Sequence, residues 1–247
     1  MSLKKHIPNI LTLLNLFCGC IAVVFVAQRF FEYAFFFVCL GIFFDFFDGF
    51  LARKFGVAGP LGVQLDSLAD MVTSGVVPGF VMYKMLPSME MFKENSEITS
   101  CFPSYNDNPM LLLPYLGFII TLGACYRLAN FNIDTRQSDS FIGLPTPANA
   151  LFIASLPFLT GDLYNLVHNP WVLIAITLLS AYVMNAEIPL FSLKIKDFTF
   201  QKYKLQIGFL ALSVILLVWL QITAVPLIIL IYVLLSVFNN MLSKKQL

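Results

Sequence analysis

The chain has 247 residues, of which 59% are hydrophobic and 12% charged, with 26 phenylalanines and a formal net charge of +1. A soluble domain of this length needs far more polar surface, so the composition excludes one and identifies a polytopic membrane protein. The charge balance says little about partners, and no basic run points to nucleic acid.

Only helices and closed barrels span lipid, and the apolar runs here are long and continuous rather than alternating, which selects an all-α fold of about eight transmembrane helices. The chain is read as a single integral membrane domain over 1–247. The first helix covers roughly 9–27, with Pro8 near its start, a position that proline tolerates. Its apolar run from Ile7 to Ala27 is long enough to span, and no clear small-x-small cleavage site follows, so it is read as a retained helix rather than a signal peptide. The second runs over roughly 33–53, and Gly56, Gly59 and Pro60 break the chain before a third over roughly 61–85. A long polar loop, 86–109, separates these from a fourth helix at roughly 110–130. A polar crossover with glycine and proline, 131–147, precedes a fifth at 148–166 and a sixth at 171–189. The C-terminal pair, 205–223 and 225–242, is joined tightly at Ala224-Val225-Pro226.

Four carboxylates stand out against this background: Asp45, Asp48, Asp66 and Asp70. Their spacings of three and four residues put each pair on one helix face. The dozen residues before Asp45 and after Asp70 carry no charge. A carboxylate bordering hydrocarbon costs roughly 2.5–3.5 kcal/mol on insertion scales unless something compensates it. Several carboxylates with water suit a hard divalent cation such as Mg²⁺, Mn²⁺ or Ca²⁺, while pairing with Arg53 or Lys54 is the plainer alternative. The first 12 residues of the second helix climb about 18 Å, short of the ~30 Å hydrocarbon thickness, which places Asp45 and Asp48 just inside one membrane face. The hairpin 33–85 then brings both pairs to the same depth on facing helices.

The pattern Asp45-x-x-Asp48-Gly49-x-x-Ala52-Arg53, eight residues, Gly62-x-x-x-Asp66-x-x-x-Asp70 resembles the signature of the CDP-alcohol phosphotransferases, membrane enzymes of phospholipid synthesis, with all eight fixed positions at the family spacing. The resemblance covers the N-terminal two thirds and implies that family's helix bundle and a homodimer. It also implies transfer of a phosphatidyl group from a CDP-linked lipid to an alcohol, with release of CMP. On the same ground Asp45, Asp48, Asp66 and Asp70 are metal ligands for Mg²⁺ or Mn²⁺, two ions in all, Asp48 and Asp66 also belong to the donor-binding set, and Asp70 takes the proton of the attacking hydroxyl. Small residues at Gly49, Ala52 and Gly62 would let the nucleotide approach the backbone, or would serve helix packing. Arg53 either contacts a donor phosphate or anchors the interface. Asn9, Thr12 and Asn15, three apart on an apolar helix, form a polar stripe that faces the nucleotide or caps interhelical carbonyls.

Tyr126-Arg127-Leu128-Ala129-Asn130-Phe131-Asn132, the segment Phe141–Ala150 and the run Asn15-Leu-Phe-Cys-Gly19 resemble the phosphatidylserine synthase branch of that family. CDP-diacylglycerol as donor and L-serine as acceptor are what this implies. Arg127, with its planar guanidinium, is the candidate for the serine carboxylate, the plainer alternative being a cytoplasmic boundary charge, and Pro145 and Thr146 are placed beside it. Asn130 stands where an arginine is common in the branch. A phosphorylated acceptor calls for a basic cluster, and the cations near the motif are few, which favours an unphosphorylated one. The alternatives are the same chemistry on glycerol 3-phosphate, an inositol phosphate or choline, or a cation transporter using the intramembrane aspartates.

Orientation follows from the Lys/Arg bias. With the N-terminus inside, one side collects Lys4, Lys5, Arg53, Lys54, Arg127, Arg136, Lys194, Lys196, Lys202, Lys204, Lys244 and Lys245, and the other only Arg29, Lys84 and Lys93. Both termini and the carboxylate site are therefore expected on the cytoplasmic side, of a bacterial inner membrane. Cys18, Cys20, Cys39 and Cys125 lie in apolar segments and Cys101 in the polar loop, without a metal-ligand or disulfide pattern.

Overall fold

The computed structural model describes residues 6–86, 109–133, 141–190 and 204–244. All eight expected segments are helical, and together they form a helical membrane protein. Helix α1 (Ile7–Ala27) starts with proline in its first turn, and α2 (Phe31–Phe55) follows after a turn in which Arg29 adopts φ 62°. The two pack along their length through small buried residues, among them Ala22 and Val26 on α1 and Ala34 and Val38 on α2. Small residues let helices approach closely where lipid gives no hydrophobic drive to association.

Gly56 stops α2. It takes φ 64°, its N–H donates to Arg53 O at 3.2 Å, and Val57 N–H donates to Ala52 O at 3.0 Å, a left-handed glycine stop. Pro60 then opens α3 (Pro60–Asp70) at a position where its missing N–H costs nothing. The helix does not end at Asp70. It widens into a π-helical turn over Met71–Val76 and continues as α4 (Val77–Met85), making one rod over 60–85. Arg29 Nη1 donates to Lys84 O at 3.3 Å, which ties the far end of this rod to the α1–α2 turn. The aspartates therefore sit toward the opposite end.

The fourth segment opens as a 3₁₀ stretch, Pro109–Phe118, which contains Pro114, and becomes α5 (Ile119–Ile133). It crosses the rod at glycines. A Cβ on Gly79 would lie 2.1 Å from Thr121 Oγ1, and one on Gly117 would lie 2.6 Å from Tyr83 N. Thr121 Oγ1 donates to Gly75 O in the π-turn at 3.0 Å, satisfying a carbonyl that the irregular turn presents to its neighbour.

The fifth segment differs most from expectation. It is divided into α6 (Thr146–Ser155), a 3₁₀ turn at Leu156–Phe158 and α7 (Asp162–Val167), because Pro157 and Gly161 (φ 65°) interrupt it. Helix α8 (Pro170–Asn185) is capped by Asn169, whose Oδ1 accepts from Trp171 N–H at 3.0 Å, and ends before the expected 189. The chain there forms β2 (Pro189–Leu190), paired antiparallel with β1 (Phe141–Ile142), a short clasp that the all-helical expectation did not include. Helices α9 (Lys204–Leu220) and α10 (Ala224–Lys244) fold back on each other at Gln221 (φ 53°), with Phe209 and Tyr232 in ring contact at 5.6 Å.

By length and composition, four described stretches can cross a membrane: Ile7–Ala27, Phe31–Phe55, Leu112–Ile133 and Leu205–Asn240, the last being the α9–α10 hairpin. The interior of the 86–109 loop with Lys93 and Cys101, and Lys4, Lys5, Arg136, Lys194, Lys196, Lys202 and Lys245 of the charge bias, lie outside the described residues. Cys18 is buried and Cys20 exposed, as two positions apart on a helix require; with Cys39 and Cys125 they are free thiols.

Candidate active site

Three elements meet where the carboxylates lie: the first turns of α1, the last three turns of α2, and α3. One oxygen from each of Asp45, Asp48 and Asp66 can be chosen so that all lie within 4.8 Å of one another. Asp45 and Asp48 come from one face of α2, and Asp66 faces them from α3 across the Gly56 turn. Three carboxylates gathered in an apolar bundle repel one another, and an oxygen donor set of this kind fits a hard divalent cation. Asp70, one turn further along α3, stands outside this group of three.

Helix α1 supplies the polar partners. The Thr12 hydroxyl donates to Asp48 Oδ2 at 2.5 Å, and its oxygen also lies 3.1 Å from Pro8 O. Asn15 Nδ2 donates to Asp70 Oδ1 at 3.0 Å. Asp48 and Asp70 are 5% and 8% exposed, so both are carboxylates whose environment is set by protein groups.

A cavity of about 190 Å³ opens beside the cluster. Its walls include Asn9 and Thr12 from α1, Asp48, Gly49, Ala52 and Arg53 from α2, and Gly62 and Asp66 from α3; Pro8 and Val57–Gly59 also line it. Eight of the nine residues expected on the donor side thus share one space, and Asn15 is the exception. Gly49 and Gly62 border it. A Cβ on Gly62 would come 3.8 Å from Asn9 Oδ1, and one on Gly49 would come 3.5 Å from Arg53 Nη1, so Arg53 lies across Gly49 along the cavity wall. Arg53 is exposed, which leaves its cation accessible from the cavity side.

The residues expected on the acceptor side lie apart from this cavity. Arg127 is buried at the inner side of α5; its Nη1 donates to Met184 O at 2.6 Å and its Nη2 to Gly143 O at 3.2 Å. The guanidinium thus grips the last turn of α8, where carbonyls carry the negative end of the helix dipole, and the Gly143 loop just after β1. Gly143 has φ 76°, and a Cβ there would lie 2.4 Å from Met184 O and 2.8 Å from Arg127 Nη1, so glycine is required on both counts. Pro145 precedes α6 and Thr146, buried, begins it.

Several residues were not singled out from the sequence. Thr73, in the π-turn, is fully buried and donates to Asn15 O at 3.1 Å. Asn132 Nδ2 donates to Ser67 Oγ at 2.9 Å, linking the end of α5 to α3 one residue after Asp66. Asn185 Nδ2 reaches Gly123 O at 3.0 Å and Ala181 O at 2.9 Å, joining α8 to α5. Thr73 follows Asp70 by three residues, a helical spacing that gave a usable signal.

Comparison with known proteins agrees with the site's composition. The family model described as CDP-alcohol phosphatidyltransferase matches residues 5–181, which hold every site residue named above apart from Met184 and Asn185. The chain is 29% identical over 188 residues to the CDP-diacylglycerol–serine O-phosphatidyltransferase of Bacillus subtilis (strain 168), covering 74% of this chain and 89% of the relative. It is 28% identical over 216 residues to the protein of the same name from Helicobacter pylori (strain ATCC 700392 / 26695), covering 87% and 81%. An archaetidylserine synthase from Methanothermobacter thermautotrophicus is 27% identical over 176 residues, covering 70% and 66%. With more than half of its length matched, and with the aspartate cluster built at the family spacing, this chain belongs to the CDP-alcohol phosphatidyltransferase family.

Proposed function

We propose that the protein transfers the phosphatidyl group of CDP-diacylglycerol to the hydroxyl of L-serine, giving phosphatidylserine and CMP. The observation that carries the reaction class is the carboxylate cluster beside a cavity walled by Asn9, Thr12, Gly49, Ala52, Arg53 and Gly62. The acceptor rests on the relatives, whose names specify serine in Bacillus subtilis and Helicobacter pylori.

In this reading Asp45, Asp48, Asp66 and Asp70 hold two divalent cations, Mg²⁺ or Mn²⁺. Cations held there would neutralise the diphosphate oxygens and the charge developing on the departing phosphate. The cavity takes the cytidine end of the donor, with Gly49, Ala52 and Gly62 leaving room for it against the backbone and Arg53 beside its phosphates. Thr12 keeps Asp48 in place through its hydroxyl. The serine oxygen forms a bond to the lipid-linked phosphorus as the bond to CMP breaks, and Asp70 receives the serine hydroxyl proton. Arg127, Pro145 and Thr146 belong to the acceptor side. Arg127 gives two of its donors to Gly143 O and Met184 O, so it shapes that side by holding the segment leading to Pro145 and Thr146 against the end of α8.

The Lys/Arg bias supports a cytoplasmic site with both termini cytoplasmic, and a bacterial inner membrane is the setting proposed. The family resemblance supports a homodimer, to be checked by light scattering of the purified protein in detergent; a monomeric mass for active protein would contradict it.

Release of CMP tests the function. The purified protein in detergent receives CDP-diacylglycerol and Mg²⁺ or Mn²⁺, with L-serine, glycerol 3-phosphate, an inositol phosphate or choline offered separately. Serine-dependent, chelator-sensitive release is expected. Release dependent on another acceptor would overturn the assignment of serine and leave the cluster's role intact.

Arg127→Ala is expected to raise KM for serine more than KM for the lipid donor. Loss of two hydrogen bonds from a charged group, worth about 1.5–3 kcal/mol each, should also lower the unfolding temperature. Equal effects on the two Michaelis constants would reduce Arg127 to a general structural strut.

A further inference from the structure

A polar step sits between α1 and the rod that carries Asp70. Asn15 Nδ2 donates to Asp70 Oδ1 at 3.0 Å, while Asn15 O accepts from Thr73 Oγ1 at 3.1 Å. Asn15 and Thr73 are both 0% exposed. Their surroundings admit nothing larger. A Cβ on Gly19 would lie 2.5 Å from Thr73 Oγ1, and one on Gly41 would lie 2.8 Å from Thr73 Cγ2 and 2.9 Å from Asn15 Oδ1. Two glycines, one on α1 and one on α2, thus form a notch that holds Thr73.

The rod changes its winding at this point. The π-turn begins at Met71, immediately after Asp70, and Thr73 lies inside it. A π-turn inserts extra chain into a helix, so the direction of the preceding side chain depends on where the irregularity starts. The bond from Thr73 to the main chain of Asn15 fixes that register, and the same residue's side chain holds the carboxylate.

The remaining geometry separates Asn15 from the donor site. It does not line the cavity that Asn9 and Thr12 share, and its partner Asp70 stands outside the group formed by Asp45, Asp48 and Asp66. We propose that Asn15 and Thr73 are positioning residues for Asp70. Asn15 holds one carboxylate oxygen, Oδ1, and leaves Oδ2 to face both the cation and the acceptor hydroxyl, and Thr73 holds the π-turn that aims it. The inference rests on the reading of Asp70 as the proton acceptor in phosphatidyl transfer.

The test uses the full chain in detergent, with Asn15→Ala, Thr73→Val and Thr73→Ser. Turnover and the Michaelis constant for CDP-diacylglycerol are measured, together with the rise in unfolding temperature produced by Mn²⁺ and CDP. Asn15→Ala and Thr73→Val are expected to lower kcat by about 10- to 100-fold, the range seen when a supporting hydrogen bond is lost, with the donor KM within about twofold. Thr73→Ser keeps the hydroxyl and should stay close to the wild type. A rise in unfolding temperature with Mn²⁺ and CDP should persist in all four proteins, because Asp45, Asp48 and Asp66 and the cavity are untouched. A raised donor KM with kcat retained in Asn15→Ala would return Asn15 to the nucleotide site and overturn the proposal. Equal losses in Thr73→Ser and Thr73→Val would make the notch a packing feature and overturn it as well. If the wild type turns over another acceptor and not serine, only the choice of serine fails, and the comparison is made with that acceptor. No turnover with any acceptor overturns both the function and the inference.

Discussion

Asp70→Asn is expected to reduce phosphatidyl transfer by about 10²–10⁴-fold, the contribution typical of a positioned general base. The fold should survive, because an asparagine amide oxygen can still accept the hydrogen bond that Asn15 Nδ2 now gives to Oδ1. What is lost is the second carboxylate oxygen, with its negative charge toward the cations and its capacity to take a proton. A water-exposed aspartate near pKa ~4 is a weak base for an alcohol, so the carboxylate acts in concert with departure of CMP rather than ahead of it. The check is kcat beside the unfolding temperature in detergent. Turnover retained in a folded variant would remove Asp70 from the chemistry.

Removal of divalent cations is expected to have an effect at least as large. Chelation should lower turnover by more than about 10³-fold, the upper range for losing a single electrostatic contact to a developing charge, and Mg²⁺ or Mn²⁺ should restore it. The same treatment should lower the unfolding temperature of protein first saturated with metal. Asp45, Asp48 and Asp66 have oxygens within 4.8 Å of one another, and without a cation only mutual repulsion acts between them when all are ionised. Asp66→Ala relieves part of that repulsion while deleting a ligand. It should therefore lose activity and show a smaller stabilisation by Mn²⁺ than the wild type. Full activity after exhaustive chelation would contradict the metal assignment.

Much of this site was legible in the sequence because it depends on short spacings. Asp45 and Asp48 are three apart and so share a face of α2, and the breakers Gly56, Gly59 and Pro60 turn the chain so that Asp66 faces them. The cavity residues Gly49, Ala52, Arg53 and Gly62 follow from the same hairpin, whereas Asn9 and Thr12 reach it from α1. The stripe Asn9, Thr12 and Asn15 was less faithful to one direction. Each step of three residues falls short of a full turn by about 60°, so Asn15 is rotated about 120° from Asn9 and faces Asp70 and not the cavity.

The features that hydropathy hid have physical causes. The apolar run 148–166 concealed the break that Pro157 and Gly161 impose, and the same uniformity concealed the π-turn at Met71–Val76, which alters winding without altering composition. The β1–β2 clasp has only two residues per strand, too few for an alternating pattern to register. The guanidinium of Arg127 suits a carboxylate, and its place at the end of an apolar helix suits a boundary charge, but neither feature points to the hydrogen bonds it makes. Its two carbonyl partners, Gly143 O and Met184 O, come from distant parts of the chain, and no local spacing announces them.

The most direct measurement of the central claim follows labelled L-serine into the lipid phase. Purified protein in detergent is given CDP-diacylglycerol, Mg²⁺ or Mn²⁺ and labelled serine, and the labelled lipid is counted against the CMP released. One labelled lipid is expected for each CMP, with both falling by at least about 10²-fold in Asp70→Asn and after chelation. CMP released without label in the lipid, or label incorporated in the Asp70→Asn protein at the wild-type rate, would contradict the claim.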